Sequence, residues 1–285
     1  MGVLPNIMVN ALVLASMYIL ASLGFAFIFN MLGSVNLAHG AFYMLAAYIT
    51  YYLCAKAGLN NWLAMLLSAV VLAGIGIVME RFVFRPFQSE FDRVVMVSVA
   101  LMTMLQQLAV QISGSQTITI PAYGNGSINL GFMLLTHEKL ITFVVGLILL
   151  LVTLFIVYRT KLGMQMEAIS QDRLGAALQG IQVNKVAMLV CAMGFALAAV
   201  AGSMMGAYQQ VSSNMGDNIN VRILMLVMLA GAGSMNGIII TGFLMALLDS
   251  VCPIIWDSYT ASAIACSVVV ILLLIRPKGF FGHEM

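Results

Sequence analysis

The chain has 285 residues, 62% of them hydrophobic and 8% charged, where a soluble domain carries roughly a quarter charged. Its 12 Lys and Arg and 10 Asp and Glu leave too little polar surface to cover a globule of this size, which excludes a water-soluble fold and makes lipid the cover. The net charge of +2 offers no basic field for nucleic acid, and four isolated cysteines, Cys54, Cys191, Cys252 and Cys266, show neither zinc spacing nor a disulfide framework.

In chain order, the first apolar run covers residues 7–29. No Lys or Arg precedes Lys56, which is wrong for the charged start of a signal peptide and predicts a retained spanning helix. A polar, glycine-bearing break follows at 30–40, with Asn30, Ser34, Asn36 and His39. Further runs of spanning length lie at 38–55, 62–79, 94–112, 140–158 and 186–208, and a last one at 260–275. Between these two lies an apolar run at 223–248, interrupted by Gly231-Ala-Gly-Ser-Met-Asn-Gly237.

Orientation follows from the basic residues. Arg81, Arg85 and Arg93, then Arg159, Lys161, Arg173 and Lys185, then Arg276 and Lys278 form three clusters, and such clusters mark the cytoplasmic side. If 223–248 enters the membrane and returns, all three clusters fall inside, leaving Lys56, Lys139 and Arg222 outside; a single crossing would put the last cluster outside. The first arrangement predicts a pair of arms of about 12 residues each, near 18 Å, too short to cross a ~30 Å core comfortably. Such broken helices must face protein or a polar cavity rather than lipid. The fold class is therefore an all-α polytopic membrane bundle with broken or re-entrant helices, one transmembrane domain over 1–285. Gly33-Ser-Val-Asn36 reads almost as Gly233-Ser-Met-Asn236; common turn chemistry or a repeated helix–break–helix unit accounts for it.

The outer loop 113–138 carries Pro121, several glycines and alternating Thr117, Ile118, Thr119 and Ile120, which predicts a short strand or extended lid. It is too small to bury a core, so any extracellular capture of substrate falls to a partner. The inner loop 160–185 predicts a short helix capped by Ser170, with Asp172 in its first turn and Gly180 at its end. Leu174, Ala177, Leu178 and Ile181 fall on one face. A helix of this kind lies on lipid headgroups or docks on a protein, and the scarcity of basic residues on its polar side favours the protein.

The polar residues Asn30, Ser34, Asn36 and His39 at one break, and Ser234 and Asn236 at the other, either line a translocation path or cap helix ends and satisfy loosened backbone. Glu80 and Arg81 read as an interfacial anchor. Ala198, Gly202 and Gly206 recur every fourth residue and predict a close helix contact, within the subunit or with a companion. No phosphate-binding Gly-x-x-x-x-Gly-Lys-Ser/Thr loop occurs, so ATP is not hydrolysed on this chain. No metal or cofactor site is signalled, and neither a Gly-x-Ser-x-Gly elbow nor a His-Glu-x-x-His motif suggests an intramembrane enzyme. A secondary transporter driven by an ion gradient is the main rival, but the carboxylates Glu80, Asp249 and Asp257 fall at the expected span ends.

Six segments together resemble the integral-membrane permeases of branched-chain amino acid ABC importers of the LIV type. They are Asn36-Leu-Ala-His-Gly-Ala-Phe-Tyr-Met-Leu-Ala-Ala-Tyr48, Glu80-Arg-Phe-Val-Phe-Arg-Pro-Phe87, Gln171-Asp172 with Ala177-Leu-Gln-Gly-Ile181, Ala199-Val-Ala-Gly-Ser203, the Gly231–Gly237 turn, and Arg276-Pro-Lys-Gly-Phe-Phe-Gly282. The start at Asn36 and the Glu-Arg-x-x-x-Arg-Pro segment look LivH-like rather than LivM-like. The resemblance implies a bacterial inner-membrane location, a second LIV-type permease, two ATPase subunits that bind the ATP, a periplasmic or extracellular binding protein, and a small-molecule substrate. It also implies that Glu167, Ala168, Asp172, Leu174, Ala177, Leu178, Gly180 and Ile181 belong to the element that couples the permease to an ATPase. The Glu-Ala-Ala-x-x-x-Gly form of many ABC importers appears here as Glu167-Ala168-Ile169, with Arg173 in the place of glycine.

Overall fold

A computed structural model describes residues 3–87, 90–114, 116–124, 126–129, 134–231, 234–276 and 279–281. They form α1 (Val3–Leu32), α2 (His39–Ala55), α3 (Asn61–Met79), α4 (Phe91–Ser113), β1 (Ser127–Asn129), β2 (Leu134–Thr136), α5 (His137–Arg159), α6 (Lys161–Gln171), α7 (Arg173–Leu178), α8 (Val183–Gln209), α9 (Met215–Ala230), α10 (Met235–Ile255) and α11 (Ser258–Ile275). Six of these helices are long and apolar enough to cross a membrane, as an all-α polytopic bundle requires.

The core is built on α1, whose most apolar stretch is 89% buried, and on α8, at 72%. The two cross where Gly24 meets Gly194: a Cβ on either would reach the other's carbonyl oxygen, at 2.5 and 2.6 Å. Without side chains at that point the backbones touch, and dispersion between them replaces a hydrophobic driving force that lipid cannot supply. Gly202 packs on the Tyr43 carbonyl of α2, and Gly206 faces Ala47 and Val211. The stripe of small residues on α8 is thus a contact inside the subunit. A buried hydroxyl cluster adds polar glue: Thr50 of α2 bonds Ser68 of α3 at 3.0 Å and Ser203 of α8 at 2.7 Å. By contrast α4 and α5 are only 6% and 17% buried, so lipid or a companion subunit covers them.

The first break is deep. α1 ends at Leu32, Gly33 turns the chain with φ +65°, and His39 begins α2 with its Nε2 3.1 Å from the carbonyl of Ala21, halfway along α1. α2 therefore starts inside the bundle and runs about 26 Å at 1.5 Å per residue.

The second break differs from its expectation. α9 and α10 form an antiparallel hairpin, with Thr241 bonded to the Leu226 carbonyl and Arg222 to Asp249. Its arms are 16 and 21 residues rather than about 12, and α10 alone is long enough to cross. Asn220, Arg222 and Asp249 read as the polar flanks of the apolar run in sequence, but inside the bundle they find partners in the Leu37 carbonyl, in each other and in Tyr18, so the helices run on through them. Arg222 accordingly lies within α9, not in an outer loop. Ala232 and Gly233, the centre of this turn and of its likeness to the first break, lie outside the described residues.

The outer loop is extended, but its strands lie after the alternating Thr117–Ile120 segment, which contributes a single bridge. β1 and β2 pair antiparallel, and Ile118 exchanges two backbone hydrogen bonds with Val211, at 3.0 and 2.7 Å, fastening the loop over the end of α8. Asn125 and residues 130–133 of that loop lie outside the described residues. The chain's closing motif performs a similar task on the other side: the Phe280 and Phe281 amides donate to the Leu229 and Ala230 carbonyls, satisfying the open end of α9. Gly279, at φ +76°, lies so close that a Cβ would sit 2.6 Å from the Gly231 nitrogen. Pro277, Lys278 and Gly282 of the motif lie outside the described residues.

Candidate translocation path and coupling surface

The Arg-rich ends of α3, α5 and α11 define the cytoplasmic side. There, a cavity of about 480 Å³ opens between the end of α1, the α5–α6 corner and the start of α10. Asn30, Ser234 and Asn236 line it, together with Glu167 of α6. Two sets of residues expected to serve separately, in the path and in coupling, thus share one wall. Tyr158 donates to the Asn236 side-chain Oδ1 at 3.4 Å, and Ser234 accepts from the Gly237 amide at 3.1 Å, capping α10.

Ser34, Asn36 and His39 are not part of this cavity; they are buried to 2% exposure or less around the start of α2. Asn36 accepts from the Ala38 amide at 3.1 Å, and Asn220 of α9 donates to the Leu37 carbonyl at 2.7 Å. Ser98 of α4 accepts from the Leu37 amide at 3.1 Å. The His39 ring sits edge-on to Phe25 and tilted against Phe195. Side chains from α4 and α9 therefore supply the partners that an interrupted helix lacks. Three polar atoms in this knot, Asn36 Nδ2, His39 Nδ1 and Asn220 Oδ1, have no partner among the described residues.

The cytoplasmic loop folds as two helices. α6 is capped by Thr160, which accepts from the Gly163 amide, and it buries Gly163, Met166 and Ile169. Ser170 does not cap the next helix, because α6 runs through it and its hydroxyl donates back to the Glu167 carbonyl at 2.8 Å. The cap is Asp172, extended at φ −148°, which accepts from the Leu174 and Gly175 amides at 3.0 and 2.9 Å. α7 then presents Leu174 and Leu178, 72% and 79% exposed, with Ala177 exposed beside them. Gly180, at φ +83°, turns the chain before Ile181, which packs on the core instead of joining that face. Ala168 packs on the core as well. Arg173 donates to the Met31 carbonyl at 3.4 Å, linking α7 to the end of α1.

Glu80 is not an interfacial anchor with Arg81. It is fully buried in a π-turn at the foot of α3 and pairs with Arg85, at 2.5 and 3.1 Å. Arg85 also reaches the Asn184 carbonyl at 3.4 Å, fixing the foot of α3 to the start of α8.

On the outer side, sequence reasoning missed a group of three. Arg222 of α9 pairs with Asp249 of α10 at 2.5 Å, and Tyr18 of α1 donates to the same carboxylate at 2.8 Å. They border a cavity of about 360 Å³ that reaches Gln209 and Gln210 at the outer end of α8. The signal was available: Arg222 and Asp249 are lone charges on opposite flanks of the glycine turn, and a hairpin about that turn brings them face to face.

A bundle with broken helices, polar cavities on both sides and an apolar cytoplasmic helix left uncovered defines a multi-pass transport permease. The chain belongs to the family described as branched-chain amino acid transport system / permease component, whose model matches residues 7–276. It is 29% identical to the high-affinity branched-chain amino acid transport system permease protein BraD of Pseudomonas aeruginosa, over 97% of this chain and 95% of that one. Identity to the LivH permease protein of Escherichia coli K12 is 27%, over 97% and 94%. Among solved structures, PsaBC from Streptococcus pneumoniae in complex with Fab matches with a TM-score of 0.51 at 20% identity, over 94% of this chain and 91% of that one, a likeness of fold alone. The chain is thus a multi-pass permease of the inner, or plasma, membrane.

Proposed function

We propose that this chain is one of two permease subunits of a binding-protein-dependent ABC importer for branched-chain or related small amino acids. Two ATPase subunits work on its cytoplasmic side, and a binding protein delivers substrate to its outer side. The observation that carries the coupling part of this reading is the uncovered face of α7, where Leu174 and Leu178 are 72% and 79% exposed on a cytoplasmic helix whose one basic residue, Arg173, is turned to the Met31 carbonyl. Apolar side chains held out on a short capped helix suit a groove on another protein. The substrate class rests on the family and on relatives similar over nearly their whole length.

In this reading ATP is bound and hydrolysed on the partners, and the chain itself needs no cofactor. Motion of an ATPase is received at α7, passes through the Arg173 contact to the end of α1 and through α6 to Glu167, and reaches the cavity lined by Asn30, Ser234 and Asn236. The buried knot of Ser34, Asn36 and His39 is the inner fulcrum of that movement. An ion-gradient transporter is the weaker reading, since Asp249 is held by Arg222 and Glu80 by Arg85 rather than free to carry a proton. Purification of the tagged chain in mild detergent, with mass spectrometry of what accompanies it, tests the proposal. A second permease and ATPase subunits are expected; a homo-oligomer without ATPase would overturn it.

A further inference from the structure

We propose that the outer cavity binds the head group of an α-amino acid, with Arg222 taking the carboxylate and Asp249, steadied by Tyr18, taking the ammonium. This deepens the amino-acid import reading above and rests on it. The two side chains stand side by side, Arg222 Nε at 2.5 Å and Nη2 at 3.4 Å from the Asp249 oxygens. A plus and a minus charge in contact complement a zwitterion, whose own charges are one carbon apart, and binding adds no net charge to a low-dielectric site.

Hydrogen-bonding capacity remains for a ligand. Among the described residues Arg222 Nη1 has only a long contact, 3.4 Å, to the Asn218 carbonyl, while a guanidinium carries five donors in a fork that matches a carboxylate. Asp249 Oδ1 receives only the 3.4 Å contact from Nη2, whereas Oδ2 takes both short bonds.

Further observations point to a ligand rather than a mere tie. An ion pair within a membrane bundle adds little stability over apolar side chains of similar volume, and ionisable residues inside spans mark substrate paths. The cavity lining mixes polar groups with the apolar side chains of Leu14, Met205, Met215 and Ile219, and methionine adjusts to branched side chains. Its volume of about 360 Å³ falls in the range of roughly 300–1,000 Å³ of small-molecule sites. Gln210 at the rim has φ +90°, the only positive φ outside glycine among the described residues, and such strain gathers at ligand sites. The cavity lies on the side from which an importer receives its substrate, and its ion pair joins the two arms of the hairpin whose turn borders the inner cavity. A head group that enters between Arg222 and Asp249 loosens those arms.

The test is charge reversal. Arg222→Asp or Asp249→Arg alone leaves like charges together and is expected to lose folded protein. The double variant restores the pair. If the pair reads the head group, the double variant assembles with its partner subunits but presents its charges in reverse to a substrate whose side chain still meets Leu14, Met205, Met215 and Ile219, and leucine uptake falls roughly ten-fold or more. Return of uptake to the wild-type level overturns the proposal, since a structural tie works in either polarity. A measurement on the wild-type complex without binding protein covers failure of the double variant to assemble. Millimolar L-leucine should raise its unfolding temperature by roughly 2–4 °C, and isopentylamine and 4-methylpentanoate, each lacking one charge, should not. Equal shifts with all three, or none with leucine, overturn the site. Failure of the import reading is separate: the wild-type complex with its binding protein would then take up no leucine, isoleucine or valine.

Discussion

Gly40 and Gly216 mark where single atoms decide the packing around the first break. A Cβ on Gly216 would come within 2.8 Å of the Gly40 carbonyl oxygen, and one on Gly40 would strike the Gly216 carbonyl and the Asn220 side chain. Asn220 is the residue that satisfies the Leu37 carbonyl at the start of α2, so a side chain at Gly40 pushes away the group that makes the break tolerable. Gly40→Ala should therefore cost about 1–3 kcal/mol, read as a lower unfolding temperature of the purified complex. Gly74→Ala on the exposed side of α3, where an added Cβ meets nothing within 4 Å, is the control and should leave it unchanged or slightly raised, because alanine favours helix. Equal losses at the two sites would show that the contact carries no weight. At the inner cavity, Asn236→Leu should reduce uptake while the subunits still assemble, since Asn236 contributes a long bond to Tyr158 and a face to the cavity. Loss of folded protein would make it a structural residue instead.

At the scale of elements, α7 is six residues long and too short to persist on its own. Its conformation depends on the Asp172 cap, the Gly180 turn and whatever covers Leu174 and Leu178. Leu178→Glu should leave the permease folded and separate ATP hydrolysis from substrate delivery, measured as uptake per ATP hydrolysed in proteoliposomes; unchanged coupling would remove α7 from the interface. Asp172→Ala should cost α7 about 1 kcal/mol of helix stability and weaken coupling in the same direction, though less. The existence of this helix and its apolar face were legible from the spacing of Leu174, Ala177 and Leu178. Its cap was not, because Ser170 and Asp172 are both good capping residues and only backbone geometry separates them. The ends of α9 and α10 were illegible for a different reason: Asn220, Arg222 and Asp249 look like the polar close of a span until tertiary partners 183, 27 and 231 residues away in sequence are known. The breaks themselves were visible in the sequence as Gly, Ser and Asn within apolar runs, but spacing alone did not separate Asn30, Ser234 and Asn236, which line the inner cavity with Glu167, from Ser34, Asn36 and His39, which are buried away from it.

At the scale of the whole molecule, the orientation of the chain decides which cavity faces the substrate's source. The three basic clusters vote for one side, while Arg222, neutralised within the bundle by Asp249, has little weight in the count. Lys56 and Lys139, at the end of α2 and the start of α5, remain for the other side. With that orientation α9 and α10 enter from outside and return there, the outer cavity faces the binding protein, and α7 faces the cytoplasm. Labelling of single cysteines in a background with Cys54, Cys191, Cys252 and Cys266 replaced tests this as a unit. Ala57→Cys, on the exposed turn after α2, should react with a membrane-impermeant maleimide in intact spheroplasts. Gln179→Cys, at the exposed end of α7, should react only after permeabilisation. The reverse pattern would turn the molecule over, placing the Arg222–Asp249 cavity on the side where an importer releases its cargo and α7 where no ATPase can reach it. Both the coupling role of α7 and the head-group site would fall together, because each draws its meaning from the side of the membrane on which it lies.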